Sequence, residues 1–178
     1  HLEHRRQRQM CIRDSLSGTY FLMLVGWIFL TFSIYTAYEI KVYNNNIIYF
    51  LLLICIGSDL GGFIFGKILG GPKLTSISPN KTYAGVFGGF ILTIIFSWIY
   101  LRVLNFTFFD LTFLNIKFFL VIIFLSFISQ FGDLVISYFK RKSKVKDTGK
   151  LIPGHGGLLD RIDGMIFVFP VYYLLTLF

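Results

Sequence analysis

The chain of 178 residues is 55% hydrophobic and 19% aromatic, and only 15% of it is charged, against about 25% in an average soluble domain. A soluble domain of this length would need a polar surface that this composition does not supply. The net charge of +8 is explained more simply by basic loops beside a membrane than by nucleic-acid binding. These properties predict an integral membrane protein, in contact with a lipid bilayer, that binds no nucleic acid.

The first fifteen residues, HLEHRRQRQMCIRDS, differ from the rest of the chain. They show neither the period of an amphipathic helix nor the residues typical of turns. We interpret residues 1–15 as a non-native segment or a basic N-terminal flank. A signal peptide is disfavoured because the apolar run that follows is too long. Residues 16–178 are then expected to form one membrane-embedded domain.

Five apolar segments follow, each about long enough to cross a hydrocarbon layer of roughly 30 Å. None of them alternates polar and apolar residues with a period of two, which disfavours a β-barrel. The segments therefore predict an all-α, polytopic membrane bundle of about five transmembrane helices, at residues 16–37, 47–69, 84–104, 117–138 and 162–178.

Basic residues are distributed unevenly over the connections between these segments. Residues 1–15 and the loops 67–83 and 139–161 hold four, three and seven of the 17 Lys and Arg. The opposite side holds Lys41, Arg102 and Lys117. The asymmetry predicts that the N-terminus and both long loops are cytoplasmic. We expect a bacterial inner membrane, with the functional loops facing the cytoplasm.

Two aspartates lie within apolar segments, where an ionisable group is costly and therefore a candidate for function. Asp59 lies in the second segment and Asp133 in the fourth, both toward the cytoplasmic side. Asp133 belongs to a polar stripe on one helical face, with members at positions 126, 130, 133 and 137. The stripe favours an ion or substrate site, while an interhelical hydrogen-bond seam is the structural alternative.

Glycines recur at a spacing of four along the second and third segments, which is typical of helices that pack closely in lipid. Asp59, Gly62 and Gly66 share one helical face. The string GGFIFGKI, residues 61–68, approaches a phosphate-binding loop, but it follows no strand and ends in Ile68 instead of Ser or Thr. We therefore reject that motif.

The last segment opens with Asp160, Arg161 and Asp163, after a PGHGG turn around His155. Such a turn can present backbone amides to an anion. Carboxylates bind hard divalent cations, and Lys and Arg bind phosphates. Together they suit phosphoryl or nucleotidyl transfer, in which a metal bridges the phosphates and cations neutralise developing charge. The residues alone predict a membrane enzyme acting on a phosphorylated lipid or a nucleotide.

The 27-residue stretch SYFKRKSKVKDTGKLIPGHGGLLDRID, from Ser137 to Asp163, closely resembles the signature of the phosphatidate cytidylyltransferases, the CDP-diacylglycerol synthases. The upstream strings SDLGGFIFGKILGG and SPNKTYAG are similar to two further elements of that family. They depart from it at Gly62 and Phe63, where the family has Ala and Tyr, and at Lys67, Asn80 and Ala84, where it has Arg, Lys and Glu.

The resemblance implies transfer of CMP from CTP to phosphatidate, which yields CDP-diacylglycerol and pyrophosphate in phospholipid biosynthesis. It implies Mg²⁺, held by Asp133 and Asp160, and leaves a second cation open. The other catalytic residues expected from it are Asp163, His155, Lys146 and Asp147. The residues expected to bind substrate are Asp59, Ser78, Lys81, Thr82, Ser137, Lys140, Arg141, Gly156, Gly157 and Arg161.

The resemblance also suggests that this chain is the C-terminal catalytic part of a longer protein with additional N-terminal helices. A homodimer is expected from the resemblance alone. Two other functions stay open: a CTP-dependent polyprenol kinase, which would transfer the γ-phosphoryl group, and a cation transporter that uses intramembrane aspartates.

Overall fold

The computed structural model describes residues 2–75, 78, 81–104, 116–143 and 162–177, with backbone only at residues 2–19 and 104. The described part contains five helices. They are α1, Leu2–Tyr43; α2, Asn45–Leu69; α3, Tyr83–Leu104; α4, Ile116–Lys142; and α5, Met165–Leu175. The predicted all-α polytopic class is confirmed.

Four of these helices are long and apolar enough to cross a membrane: α2, α3, α4 and the part of α1 from Tyr20 to Tyr43. The chain is an integral membrane protein. The segment predicted at residues 162–178 differs, because α5 has only 11 residues and is about 16 Å long at the usual rise per residue. It begins at Met165 because Asp163 and Gly164 before it are held against α4.

Helix α1 begins at Leu2, whereas the sequence predicted a helix only from residue 16. The segment before residue 16 contains Arg, Gln and Glu, which have high helix propensity even without an apolar period. Propensity therefore favours a continuous helix here. The pattern of apolar residues marks only the part of α1 that is apolar enough to cross lipid.

Helices α2 and α3 pack through facing glycines. A Cβ at Gly61 would collide with the backbone of Gly88 and Gly89, and a Cβ at Gly85 would lie 2.7 Å from the carbonyl oxygen of Gly62. Only the absence of side chains lets the two backbones approach this closely. The structural interpretation of the glycine repeat is confirmed for this pair of helices.

The buried apolar core lies where α2, α4 and α5 meet. In this core, buried side chains of α2 and α4 pack against those of α5. The main contributors are Phe50, Leu51, Ile54, Phe118, Ile122, Leu125, Val168 and Tyr172. This core fixes the relative positions of α2 and α4, the two helices that carry Asp59 and Asp133.

A connection from residue 70 to residue 82 joins α2 to α3 and folds back on itself. Gly70 and Gly71 have φ angles of 61° and 100°, a region that side chains other than glycine rarely adopt. Lys73 then forms an isolated antiparallel bridge with Thr82, and the Leu74 amide donates to the Lys81 carbonyl at 2.8 Å. This arrangement brings Lys81 back over the ends of the helices.

Candidate active site

A polar cavity of about 280 Å³ lies between α2, α3, α4 and the 70–82 connection. We call it the polar cavity throughout. Its lining residues are Ser58, Asp59, Gly62, Phe63, Ser78, Lys81, Thr82, Gly85, Val86, Gln130 and Asp133. The fold therefore brings together five of the site residues predicted from the sequence, from three separate parts of the chain. They are Asp59, Ser78, Lys81, Thr82 and Asp133.

The carboxylates of Asp59 and Asp133 face the same space from α2 and α4. Asp59 is exposed within the cavity, whereas the Asp133 side chain is 18% exposed. They are close enough to interact electrostatically. Two neighbouring carboxylates repel each other, and a cation between or beside them offsets that repulsion. The cavity is therefore built to hold positive charge.

Lys81 supplies one such charge. Its Nζ donates to Asp133 Oδ2 at 3.1 Å, and its side chain is 32% exposed. The backbone of Lys81 is fixed on both sides, since its amide donates to the Ser78 carbonyl at 3.1 Å and its own carbonyl accepts from Leu74. The connection between α2 and α3 thus delivers a cation to a carboxylate of α4.

Thr82 caps the start of α3 at this site. Its Oγ1 accepts a hydrogen bond from the Gly85 amide at 3.1 Å, which is how a threonine caps the start of a helix. Thr82 Oγ1 also lies against Gly66, where an added Cβ would be 3.2 Å away. Its predicted role in substrate binding stays a prediction, alongside this observed capping of α3.

The polar stripe predicted on α4 points into the bundle, as expected. Gln130 lines the polar cavity and donates to the Val86 carbonyl at 3.4 Å. Deeper in the bundle, Ser126 lies 3.4 Å from the hydroxyl of Thr93. The stripe therefore contains a hydrogen-bond contact at Ser126 and two cavity-lining side chains, Gln130 and Asp133. The ion or substrate site predicted for it stays a prediction.

Ser58 and Gln130 line the cavity although neither was among the predicted site residues. Ser58 is 1% exposed, and among the described residues its Oγ has no hydrogen-bond partner. Its position one residue before Asp59 was the available signal, but a serine in an apolar helix is uninformative without the neighbouring helix. Gln130 was recognised as part of the stripe and not as a site residue.

Three predicted substrate-binding residues of α4 do not line the polar cavity: Ser137, Lys140 and Arg141. Lys140 Nζ donates to Asp163 Oδ2 at 3.0 Å, with side chains that are 13% and 9% exposed. Arg141 is exposed. The Lys140–Asp163 pair joins the end of α4 to the residues just before α5. It holds this end of α5 near Asp133, because a Cβ on Gly164 would lie 3.2 Å from Asp133 Oδ1.

The remaining predicted site residues lie outside the described part of the chain. They are Lys146, Asp147, His155, Gly156, Gly157, Asp160 and Arg161. Within the described ranges, no group of three or more His, Cys, Asp or Glu side chains could hold a metal ion. The described residues contribute two carboxylates to the cavity, and the predicted pairing of Asp133 with Asp160 stays a prediction.

The donor atoms at the cavity fit a hard divalent cation. Two carboxylates, the amide group of Gln130 and the hydroxyl of Ser58 offer oxygen ligands, which Mg²⁺ prefers. Among the described residues, no thiol lines the cavity. The buried Ser58 hydroxyl, which lacks a partner among the described residues, is a further oxygen available there. In type and charge, this donor set is compatible with Mg²⁺.

Comparison with known proteins gives a consistent result. The chain is 39% identical over 163 residues to a phosphatidate cytidylyltransferase of Staphylococcus epidermidis, an alignment that covers 91% of this chain and 60% of that protein. The phosphatidate cytidylyltransferase of Bacillus subtilis is 41% identical over 138 residues, covering 76% and 49%. That of Staphylococcus aureus is 38% identical over 164 residues, covering 91% and 60%.

The chain spans about half to three fifths of the length of these curated relatives. A sequence model described as the cytidylyltransferase family matches residues 6–178, which include all five helices apart from the first residues of α1. On this match, the chain belongs to the cytidylyltransferase family.

Proposed function

We propose that this chain carries the catalytic site of a phosphatidate cytidylyltransferase, which uses CTP and phosphatidate at the cytoplasmic face of a bacterial inner membrane. The observation that carries the proposal is the convergence of Asp59, Asp133 and Lys81 on one cavity. The names of the relatives support the choice of substrates, as does the 27-residue signature from Ser137 to Asp163.

In the proposed reaction, a phosphate oxygen of phosphatidate attacks the α-phosphorus of CTP. The bond between that phosphorus and the oxygen bridging to the β-phosphate breaks, and pyrophosphate leaves with the electron pair. A phosphate monoester is largely ionised at neutral pH, so the attacking oxygen needs no base from the protein. The main tasks of the protein are to position two anionic substrates and to offset the charge that develops between them.

The residues suit these tasks. Asp133, with Asp160 as its predicted partner and Asp59 beside it, would hold Mg²⁺. When bound, Mg²⁺ would offset the charge of the phosphates and orient them for in-line transfer. Lys81 would bind a phosphate oxygen, because its ammonium is partly exposed and lines the same cavity. Ser78 offers a further hydroxyl at the rim.

One wall of the cavity is suited to a lipid substrate. Phe63 lines the cavity and is 67% exposed on the apolar surface of α2, within a helix that is apolar enough to cross the membrane. A lipid could therefore present its phosphate to Lys81 and to the proposed Mg²⁺ site while its acyl chains stay in the bilayer. CTP, which is water-soluble, would reach the site from the side of the 70–82 connection.

A pair of labelled nucleotides distinguishes this function from the nearest enzymatic alternative. Detergent-purified protein is incubated with Mg²⁺, phosphatidate and CTP labelled with ³²P at either the α or the γ position. Cytidylyl transfer moves the α label into the lipid and releases the γ label as pyrophosphate. With a polyprenol acceptor in place of phosphatidate, a kinase would move the γ label into the lipid and release CDP. Lipid labelled only from γ-³²P-CTP would refute the proposed function.

A further inference from the structure

The ion pair between Lys81 and Asp133 joins two residues that the proposed function assigns to different ligands. Asp133 is proposed to hold Mg²⁺ and Lys81 a phosphate, yet Lys81 Nζ lies 3.1 Å from Asp133 Oδ2. A carboxylate has about four lone-pair sites, but an ammonium group and a divalent cation on the same carboxylate repel each other. Lys81 and a divalent cation therefore compete for the same carboxylate.

The surroundings of Lys81 make the competition possible without unfolding the connection. Both backbone hydrogen-bonding groups of Lys81 are engaged, with the Ser78 carbonyl at 3.1 Å and the Leu74 amide at 2.8 Å. Its side chain is 32% exposed, and a lysine stem of four carbons is flexible. The ammonium group can therefore leave Asp133 and reach another part of the cavity while the backbone stays in place.

The negative charge in the cavity stabilises the ammonium group of Lys81. Asp59 lines the same cavity, and it interacts electrostatically with both Asp133 and Lys81. A single ammonium group thus offsets part of the repulsion between two carboxylates in an otherwise apolar bundle.

We propose that Lys81 is a built-in counter-ion of the Asp59–Asp133 pair, and that it exchanges with Mg²⁺ and is then free to bind a phosphate oxygen. The proposal rests on the proposed function, because it takes Asp133 as a metal ligand. It makes metal binding and phosphate binding cooperative: the metal releases the ammonium group, and a phosphate that captures the ammonium group makes Asp133 more available to the metal.

Binding of Mn²⁺, followed by electron paramagnetic resonance in detergent and without nucleotide, tests the exchange separately from activity. Removing a competing cation should strengthen metal binding, so Lys81→Met should bind Mn²⁺ about fivefold more tightly than the unaltered protein. Lys73→Met is the matched control: it removes the same charge from an exposed side chain of the same connection and should leave the affinity unchanged. Equal affinities of the two variants, or weaker binding by Lys81→Met, would overturn the proposal.

Asp133→Asn separates this proposal from the proposed function. If this variant loses Mn²⁺ binding while Lys81→Met gains none, the metal assignment stands and the counter-ion role of Lys81 is refuted. If Asp133→Asn binds Mn²⁺ as well as the unaltered protein, the assignment of the metal ligand fails and the proposed exchange fails with it.

A second measurement needs no variant. Acetylation of lysine amines, quantified by mass spectrometry, should become faster at Lys81 as Mg²⁺ is added, because the amine is released from its ion pair. Acetylation of Lys73 should not change with Mg²⁺ and serves as the internal reference. If the rate of Lys81 acetylation stays the same at Mg²⁺ concentrations that saturate the metal site, the exchange is refuted.

Discussion

Replacement of Gly61 by alanine tests the packing that positions the polar cavity. A Cβ at this position would collide with the Gly88 carbonyl oxygen and would lie 2.7 Å from both the Gly88 carbonyl carbon and the Gly89 Cα. Ordinary contact begins at 3.4 Å. Because the obstructing atoms are backbone, helices α2 and α3 must separate locally by at least about 0.7 Å, the difference between 3.4 and 2.7 Å.

Overpacking of this kind typically costs about 1–3 kcal/mol. We therefore expect Gly61→Ala to lower the melting temperature of the detergent-purified protein by at least about 3 °C. It should also lower the proposed cytidylyl transfer, because α2 carries Asp59, and α3 begins just after Lys81. Melting is followed by intrinsic fluorescence of the two tryptophans, Trp27 and Trp98.

Gly26→Ala provides the matched control. It makes the same chemical change in a membrane-spanning helix, but at Gly26 no atom lies within 4 Å of an added Cβ. Alanine has a higher helix propensity than glycine, so this variant should melt at or slightly above the temperature of the unaltered protein. If Gly61→Ala melts no lower than Gly26→Ala, the close approach of α2 and α3 is not what the structure indicates.

Three further outcomes are expected. Lys140→Met should destabilise the protein by about 2 kcal/mol, because it removes a charge-assisted hydrogen bond between two largely buried side chains. Arg141→Met, at an exposed site, should have little effect, and equal melting temperatures of the two variants would refute this role of the ion pair. Gly71→Ala should cost about 1–2 kcal/mol, since its φ of 100° is strained for any side chain; melting as stable as that of the unaltered protein would refute this. The proposed topology places Tyr43 outside the cell membrane and Lys73 on the cytoplasmic side. In a Cys11→Ser background, an impermeant maleimide should therefore label Tyr43→Cys in intact spheroplasts, and Lys73→Cys only after permeabilisation. The reverse labelling pattern would refute this topology.

The sequence was sufficient to predict the helices that follow from apolar length. The bounds of α2, α3 and α4 lie within four residues of the predicted segments, because about 20 mostly apolar residues with few charges leave little alternative in a membrane. The N-terminal part of α1 was not predicted, since helix propensity without an amphipathic period gives a weak signal. The short α5 was predicted too long, because its start depends on how Asp163 and Gly164 pack against α4.

Part of the polar cavity was predictable, because charges stand out in apolar segments. A charge in an apolar helix is costly wherever it is, so Asp59 and Asp133 were recognisable from the sequence alone. Their pairing across two helices, and the choice of Lys81 among the many basic residues as the partner of Asp133, depend on the tertiary structure. The Lys140–Asp163 pair is a second example. Both residues were predicted as site residues, but their ion pair is visible only in the tertiary structure.

The proposal that this cavity is the catalytic site is tested by the transfer of label from α-³²P-CTP to phosphatidate. The assay compares the Asp59→Asn and Asp133→Asn proteins with the unaltered protein. Each variant removes one negative charge from the cavity with almost no change in side-chain volume. Glu39→Gln, a similar exchange near the opposite end of the bundle, is the control. We predict at least about a 100-fold loss of lipid labelling for Asp133→Asn, a clear loss for Asp59→Asn, and full labelling for Glu39→Gln. Full Mg²⁺-dependent labelling by the Asp133→Asn protein would contradict the assignment of the site.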